Sequence, residues 1–226
     1  GRHLVSNLMK RKGTIYVLVR RGSQKKLEAL IEKMAWDKKR IVPVLGDLAK
    51  ARLGVSSDKA DELKGKIKHF FHLAAIYDLA ADQESQLVAN VQGTRNAVEL
   101  AEAVNAGCFQ YASSIAVAGL YTGTFREDMF DEAEDLIHPY FRTKHDAEKV
   151  VREECKRPYR IYRHGVVVGH SKTGEIDKID GPYYFFGMLK KLREMLPPWM
   201  LVIGIEGGRV NLVPVDFVAD AMDFIA

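Results

Sequence analysis

The sequence predicts an α/β fold, a doubly wound parallel sheet with helices on both faces. Three observations predict it. Short apolar runs alternate along the chain with stretches of helical periodicity, the rhythm of parallel strands joined by crossover helices. One of them, TIYVLVR (14–20), is a β-branched run suited to a strand buried in a parallel sheet. Polar and small residues, among them Arg20, Asp47, Ala74, Ala75 and Ser114, fall where the runs end. Open α/β sheets bind ligands beyond the carboxyl ends of their strands.

The elements follow in order. Residues 2–11 predict a helix with Leu4, Val5, Leu8 and Met9 on one side, and TIYVLVR (14–20) a buried strand. Residues 24–35 are helical in pattern and RIVPVLGD (40–47) is a second strand. IKHFFHLAA (67–75) is a third, followed by a long helix near 84–106. CFQYASS (108–114) is a fourth strand, residues 138–155 a helix, and RIYRHGVVVG (160–169) a fifth strand. The chain begins at Gly1 without a methionine and ends inside a helical pattern, FVADAMDFIA (217–226). The expectation is a piece of a longer protein whose first strand and glycine-rich turn have been removed. Residues 1–170 are expected to bind the nucleotide, and 171–226 to begin a small substrate-binding region that also returns elements to the main domain.

Composition narrows the function classes. The net charge of +4 is small and its basic residues are scattered among acidic ones, so nucleic acid is not an expected partner. Cys108 and Cys155 lack metal-ligand spacing, which fits a reduced, cytoplasmic chain with no metal. No uninterrupted apolar run is long enough to span a bilayer. A homo-oligomer and a peripheral membrane contact stay open.

A dinucleotide site needs a glycine turn between the first strand and its helix. Gly1, directly before a helix, stands where the last glycine of such a turn would be. The next strand ends in Arg20 and Arg21. An acidic residue there would serve the adenine ribose of NAD, whereas guanidinium groups bind a 2′-phosphate. The cofactor is therefore expected to be NADP(H). Asp47 and Leu48 follow the second strand, with the Asp47 carboxylate placed to accept from the adenine amino group. Ala74 and Ala75 are small enough to let the cofactor approach the backbone.

Tyr140 and Lys144 lie four apart in a helical stretch that opens at Pro139, so both side chains share one face. A nearby ammonium favours the phenolate and makes Tyr140 a usable acid. Ser114, at a strand end, can donate to the same carbonyl oxygen. A one-residue slip would exchange it for Ser113.

The stretches GDL (46–48), HLAA (72–75), NVQGT (90–94), SSIAVAG (113–119), YFRTK (140–144) and YRHGVVVGH (162–170) come in order along nearly the whole chain. With them the sequence resembles the extended short-chain dehydrogenase/reductase family. The resemblance implies a Rossmann-type fold in which Ser114 orients the carbonyl, Tyr140 is the acid/base and Lys144 binds the nicotinamide ribose. It gives Asn90 a supporting role beside the site and places Gly165 and Val166 in the backbone stretch that cradles the nicotinamide. His164 departs from the pattern by replacing a proline, and is read as a tolerated substitution.

The last third carries a narrower resemblance. TGEIDKIDGPYYFFGMLKKLREMLPPWM (173–200), GIEGGRVNLVPVDFVADAMDFIA (204–226), FREDMF (125–130) and KVVREECK (149–156) are similar to the reductase domain of bacterial fatty acyl-CoA reductases. That implies NADPH reduction of an acyl-CoA to a fatty aldehyde, with reduction on to the alcohol left to the longer protein. Phe185, Leu189, Leu192 and Leu196, with Tyr183, Tyr184, Phe186, Trp199 and Met200, would line an acyl tunnel under this reading. From periodicity alone they form an ordinary amphipathic helix. The competing readings are a sugar-nucleotide epimerase or dehydratase, a hydroxysteroid or flavonoid reductase, and a non-catalytic NADP-binding module.

Overall fold

The structure is a computed structural model that describes residues 1–74, 87–176, 182–197 and 210–226. Seven strands and seven α-helices lie among them. In chain order they are α1 (Arg2–Leu8), β1 (Ile15–Val19), α2 (Gln24–Lys33), β2 (Ile41–Leu45), α3 (Ser57–Leu63), β3 (His69–His72) and α4 (Gly93–Ala103), then β4 (Cys108–Ala112), α5 (Pro139–Glu154), β5 (Tyr159–Tyr162), β6 (Val166–Val168), α6 (Pro182–Met195), β7 (Leu212–Pro214) and α7 (Val215–Ile225).

All pairings between these strands are parallel. They form three groups, β1–β2, β3–β4–β5 and β6–β7. Ile15 faces Ile41 in the first, Phe70 faces Phe109 and Phe109 faces Tyr159 in the second, and Val166 faces Leu212 in the third. The period-2 alternation of strand side chains then divides the core. Tyr16 and Leu18 of β1 join Val44, Leu53, Ala97, Ala101, Phe109, Tyr111, Ala147 and Val151 under α4 and α5. Val17 and Val19 turn the other way, toward Leu27 and Ile31 of α2. On that second face of the β3–β5 group, Leu4 of α1 packs with Ala219 and Met222 of α7 against Phe71, Ala112 and Tyr162. Helices on both faces make this a doubly wound α/β fold.

Three expectations change. The run 160–169 is two strands, because β5 pairs with β4 while the Val166 amide turns to donate to the Asn211 carbonyl at 2.8 Å, in the β7 group. Gly165 lies at that switch, where a Cβ would collide with the Asn211 carbonyl oxygen. The first helix ends at Leu8 rather than 11, since the Arg40 guanidinium takes the carbonyls of Met9 at 2.8 Å and Gly13 at 2.9 Å. Among the described residues of the helix expected near 84–106, the α-helical part is Gly93–Ala103, preceded by a π-helical turn at Leu87–Gln92. Helix α3 escapes the sequence pattern: it is short and mostly charged, and buries only Ala60 and Leu63.

Helix α6 lies where the sequence predicts one. Leu192 on it is exposed. The side chains of Tyr184, Phe185, Phe186 and Leu189, and all of Trp199 and Met200, lie outside the described residues. No helix among the described residues is long and apolar enough to cross a membrane.

Candidate active site

The start of α5 builds the first part of the site. Pro139 occupies the first turn, where its missing N–H costs nothing, and His138 Nδ1 accepts the Tyr140 amide at 3.2 Å. The helix therefore begins one residue before Tyr140 and carries Lys144 one turn later. Both side chains are buried. The Lys144 Nζ donates to the Ala112 carbonyl at the end of β4, 3.2 Å away, and lies 5.3 Å from the centre of the Tyr111 ring. Burial pulls its pKa down from 10.5 to about 8, partly countered by the negative charge of Glu148 one turn on. An ammonium has three donors. Only the Ala112 carbonyl takes one among the described residues.

The two serines after β4 separate cleanly. Ser113, 1% exposed, donates its hydroxyl to Glu148 Oε2 at 2.6 Å. Its single proton is spent. Ser114 is 8% exposed and its oxygen accepts the Ala116 amide at 3.2 Å, which leaves its own O–H able to donate. Of the two, Ser114 is thus the serine whose proton is not already donated. Beyond it Gly119 has φ of +63°, and a Cβ there would collide with the Glu134 carbonyl oxygen. Only glycine lets the loop cross residues 118–134 so closely.

Behind Tyr140 runs a buried polar chain. Its backbone carbonyl accepts from Thr143 Oγ1 at 3.2 Å, and Thr143 accepts from Asn90 Nδ2 at 3.4 Å. The Asn90 carbonyl, in the π-helical turn, accepts from Thr94 Oγ1 at 2.6 Å, which lies 3.1 Å from His72 Nε2. Asn90 thus supports the helix beside the site. Burial, with Lys144 adding to it, lowers the pKa of His72 to about 3. The ring stays neutral and puts no second cation beside Lys144. Sequence reasoning treated His72 as strand end only, and did not reach Thr94, Thr143, Glu148 or Arg163.

His164 sits between β5 and β6. Its carbonyl accepts the Ile115 amide at 3.1 Å, next to Ser114. Its Nδ1 lies 2.9 Å from the Gly165 carbonyl oxygen, and its pKa is lowered, by burial first. Gly165 and Val166 therefore follow directly on a residue whose backbone is bonded to the one after Ser114.

The nucleotide-end residues form a second cluster. Arg20 and Arg21 follow β1 and are exposed, and their guanidinium groups have no hydrogen bond or ion pair among the described residues. The Val19 carbonyl accepts the Gly46 amide at 3.0 Å, which draws Asp47 alongside them. Asp47 Oδ1 already accepts the Ala49 amide at 3.1 Å. Leu48 packs on the main core and its carbonyl accepts from Asn96 at 2.7 Å. Gly1 is the N-cap of α1, with open space where a Cβ would be. Ala74 is exposed beyond β3, and Ala75 lies outside the described residues.

The donor set fits a phosphorylated dinucleotide: unpaired cations at one strand end, and a buried ammonium with donors to spare for ribose hydroxyls at another.

Comparison with known proteins places the chain. Residues 1–222 match an NAD-binding family described as male sterility protein. A component of the linear gramicidin synthase of Brevibacillus parabrevis is 29% identical over 226 residues, covering 90% of this chain and 4% of that protein. A Drosophila melanogaster protein provisionally named a fatty acyl-CoA reductase is 27% identical over 255 residues, covering 93% of this chain and 48% of its own length. Among solved structures, the terminal R domain from the myxalamid PKS-NRPS biosynthetic pathway superposes with a TM-score of 0.78 at 31% identity, over 98% of this chain and 58% of that one. The chain thus spans less than two thirds of each of these relatives. It belongs to the NAD-binding male sterility protein family, within the extended short-chain dehydrogenase/reductases.

Proposed function

We propose that the protein carrying this chain is an NADPH-dependent reductase that converts an acyl thioester to an aldehyde. The observation that carries this is the division of labour around Lys144. A buried ammonium is held at the end of β4 with donors unspent, Tyr140 lies one turn before it, and the Ser114 proton is available.

The bound cofactor would supply the hydride. The residues then have distinct tasks. Lys144 would hold the nicotinamide-ribose hydroxyls and favour loss of the Tyr140 proton. Ser114 would donate to the thioester carbonyl oxygen as charge builds on it, and Tyr140 would protonate that oxygen. The tetrahedral adduct then loses its C–S bond. Thiol leaves and the carbonyl re-forms as aldehyde. Arg20 and Arg21 would bind the 2′-phosphate, Asp47 and Leu48 would flank the adenine, and Gly1, Ala74, Ala75, Gly165 and Val166 would give backbone approach to the cofactor.

The expected thioester is an acyl-CoA, the class in the name of the Drosophila relative. Likeness to the terminal R domain at 31% identity favours a second form, an acyl group carried on a carrier protein. Both present the same thioester. The test is NADPH oxidation by the full-length parent with palmitoyl-CoA, the same acyl group on a carrier protein, decanal and a UDP-sugar offered separately, with free thiol measured. Thiol release in step with NADPH oxidation supports the reading, and the better donor identifies the form. Turnover of decanal or the UDP-sugar alone, or full activity in Tyr140→Phe, refutes it.

A further inference from the structure

Helix α5 carries a third buried group in register with the first two. Tyr140, Lys144 and Glu148 succeed one another at intervals of four, so they stack along one face. Glu148 is 0% exposed, and burying a lone carboxylate is costly unless it is paired and hydrogen-bonded. Here it is fully engaged. Ser113 donates to Oε2 at 2.6 Å, Arg163 Nη2 to Oε1 at 2.6 Å with Nε at 3.1 Å, and Arg152 Nε to Oε1 at 2.9 Å. Burial alone would raise its pKa, but the hydrogen bonds from Arg163 and Ser113 outweigh that and keep it below the usual carboxylate range.

Each remote partner is the chain neighbour of a site residue. Ser113 precedes Ser114 at the end of β4, and Arg163 precedes His164 at the end of β5. Arg163 reaches further: its Nη1 donates to the Arg126 carbonyl at 3.2 Å, and its guanidinium lies 5.2 Å from the centre of the Phe125 ring.

We propose that Glu148 is a positioning residue, a buried carboxylate that ties the ends of β4 and β5 to α5 and so registers Ser114 and the His164–Gly165 backbone against Tyr140 and Lys144. The proposal rests on the reductase reading for its catalytic readout. Misplacing reacting groups by about 1 Å can cost roughly a hundredfold in rate, so one buried carboxylate far from the substrate can matter to turnover. It also has an electrostatic side. The ionisable groups around Lys144 are Glu148 and Tyr140 on its own helix, Tyr111 on β4, His72 on β3 and His164 between β5 and β6. Of these only Glu148 supplies negative charge at neutral pH. Its removal lowers the pH above which Lys144 loses its proton.

The test uses the full-length parent with Glu148→Gln and Ser113→Ala. The second removes one tether and leaves the arginines paired, so it folds even where Glu148→Gln does not. Readouts are kcat and KM from pH 6 to 9.5, NADPH affinity, and the emission of bound NADPH. Ser113→Ala is expected to lose about tenfold in kcat with KM for NADPH within about twofold of wild type. Glu148→Gln is expected to lose more, to move the alkaline limb of the profile to lower pH, and to alter bound-NADPH emission. Wild-type kcat in Ser113→Ala, or losses in both variants that follow only the folded fraction with the alkaline limb unmoved, overturns the proposal. If the wild type reduces no thioester, the reductase reading alone fails. NADPH binding then decides: altered emission and weaker binding in Glu148→Gln sustain the positioning role, and wild-type values overturn it.

Discussion

Replacing Lys144 by methionine should make the protein more stable and inactive at once. The ammonium is 4% exposed, and its pKa falls from 10.5 to about 8 because burial disfavours the charged form. A drop of that size corresponds to roughly 3 kcal/mol of penalty on the folded, charged state. Methionine keeps most of the apolar stem and removes the charge, but it loses the hydrogen bond to the Ala112 carbonyl, worth about 1 kcal/mol. The net expectation is a gain of about 2 kcal/mol at pH 7. The sign with pH follows from proton counting. Below about pH 8 both folded and unfolded lysine are charged, and the penalty is felt in full. Between about 8 and 10.5 the unfolded chain binds more protons, so wild-type stability rises with pH and the advantage of the variant shrinks. Urea unfolding of the full-length parent and of Lys144→Met at pH 7 and pH 10, without cofactor, measures both arms. A variant less stable than wild type at pH 7, or an advantage equal at the two pH values, refutes the view that Lys144 is held charged against its burial. Retained turnover refutes its place in the site.

Three further outcomes are expected. Arg20→Ala with Arg21→Ala should weaken NADPH binding roughly tenfold or more while leaving NADH nearly unchanged; equal losses in titrations with the two cofactors would remove the 2′-phosphate assignment. Gly119→Ala drives a Cβ into the Glu134 carbonyl oxygen at a φ of +63°, so thermal unfolding should show a loss of about 2 kcal/mol or more with reduced turnover. Arg40→Ala frees the carbonyls of Met9, Arg11 and Gly13 at the end of α1, and should lower the urea midpoint by the equivalent of about 1–3 kcal/mol without altering NADPH affinity.

Much of the fold was legible because its signals are local. Strands β1 to β4 fall inside the apolar runs that predict them, since short runs of β-branched or aromatic residues between helical stretches have few other ways to bury themselves. The Tyr140–Lys144 pair was legible for the same reason: Pro139 starts the helix, and a spacing of four sets one face. The boundaries were less so. The break at Gly165 follows from an approach to Asn211, 46 residues away in the chain (211 − 165), and no local property of GVVV announces it. Helix α3 is held by its N-cap at Ser56 and two buried side chains, too little apolar periodicity to read.

The sequence by itself therefore determined the class of fold, the order of its elements and the one-turn spacing of tyrosine and lysine, because backbone period and side-chain direction act over a few residues. Only the tertiary structure decided which of two adjacent serines has a free proton, and that Glu148 decides it. Its partners Ser113 and Arg163 are 35 and 15 residues distant. A buried carboxylate takes whatever donors the folded chain brings to it, and that is a property of packing in three dimensions rather than of any stretch of sequence.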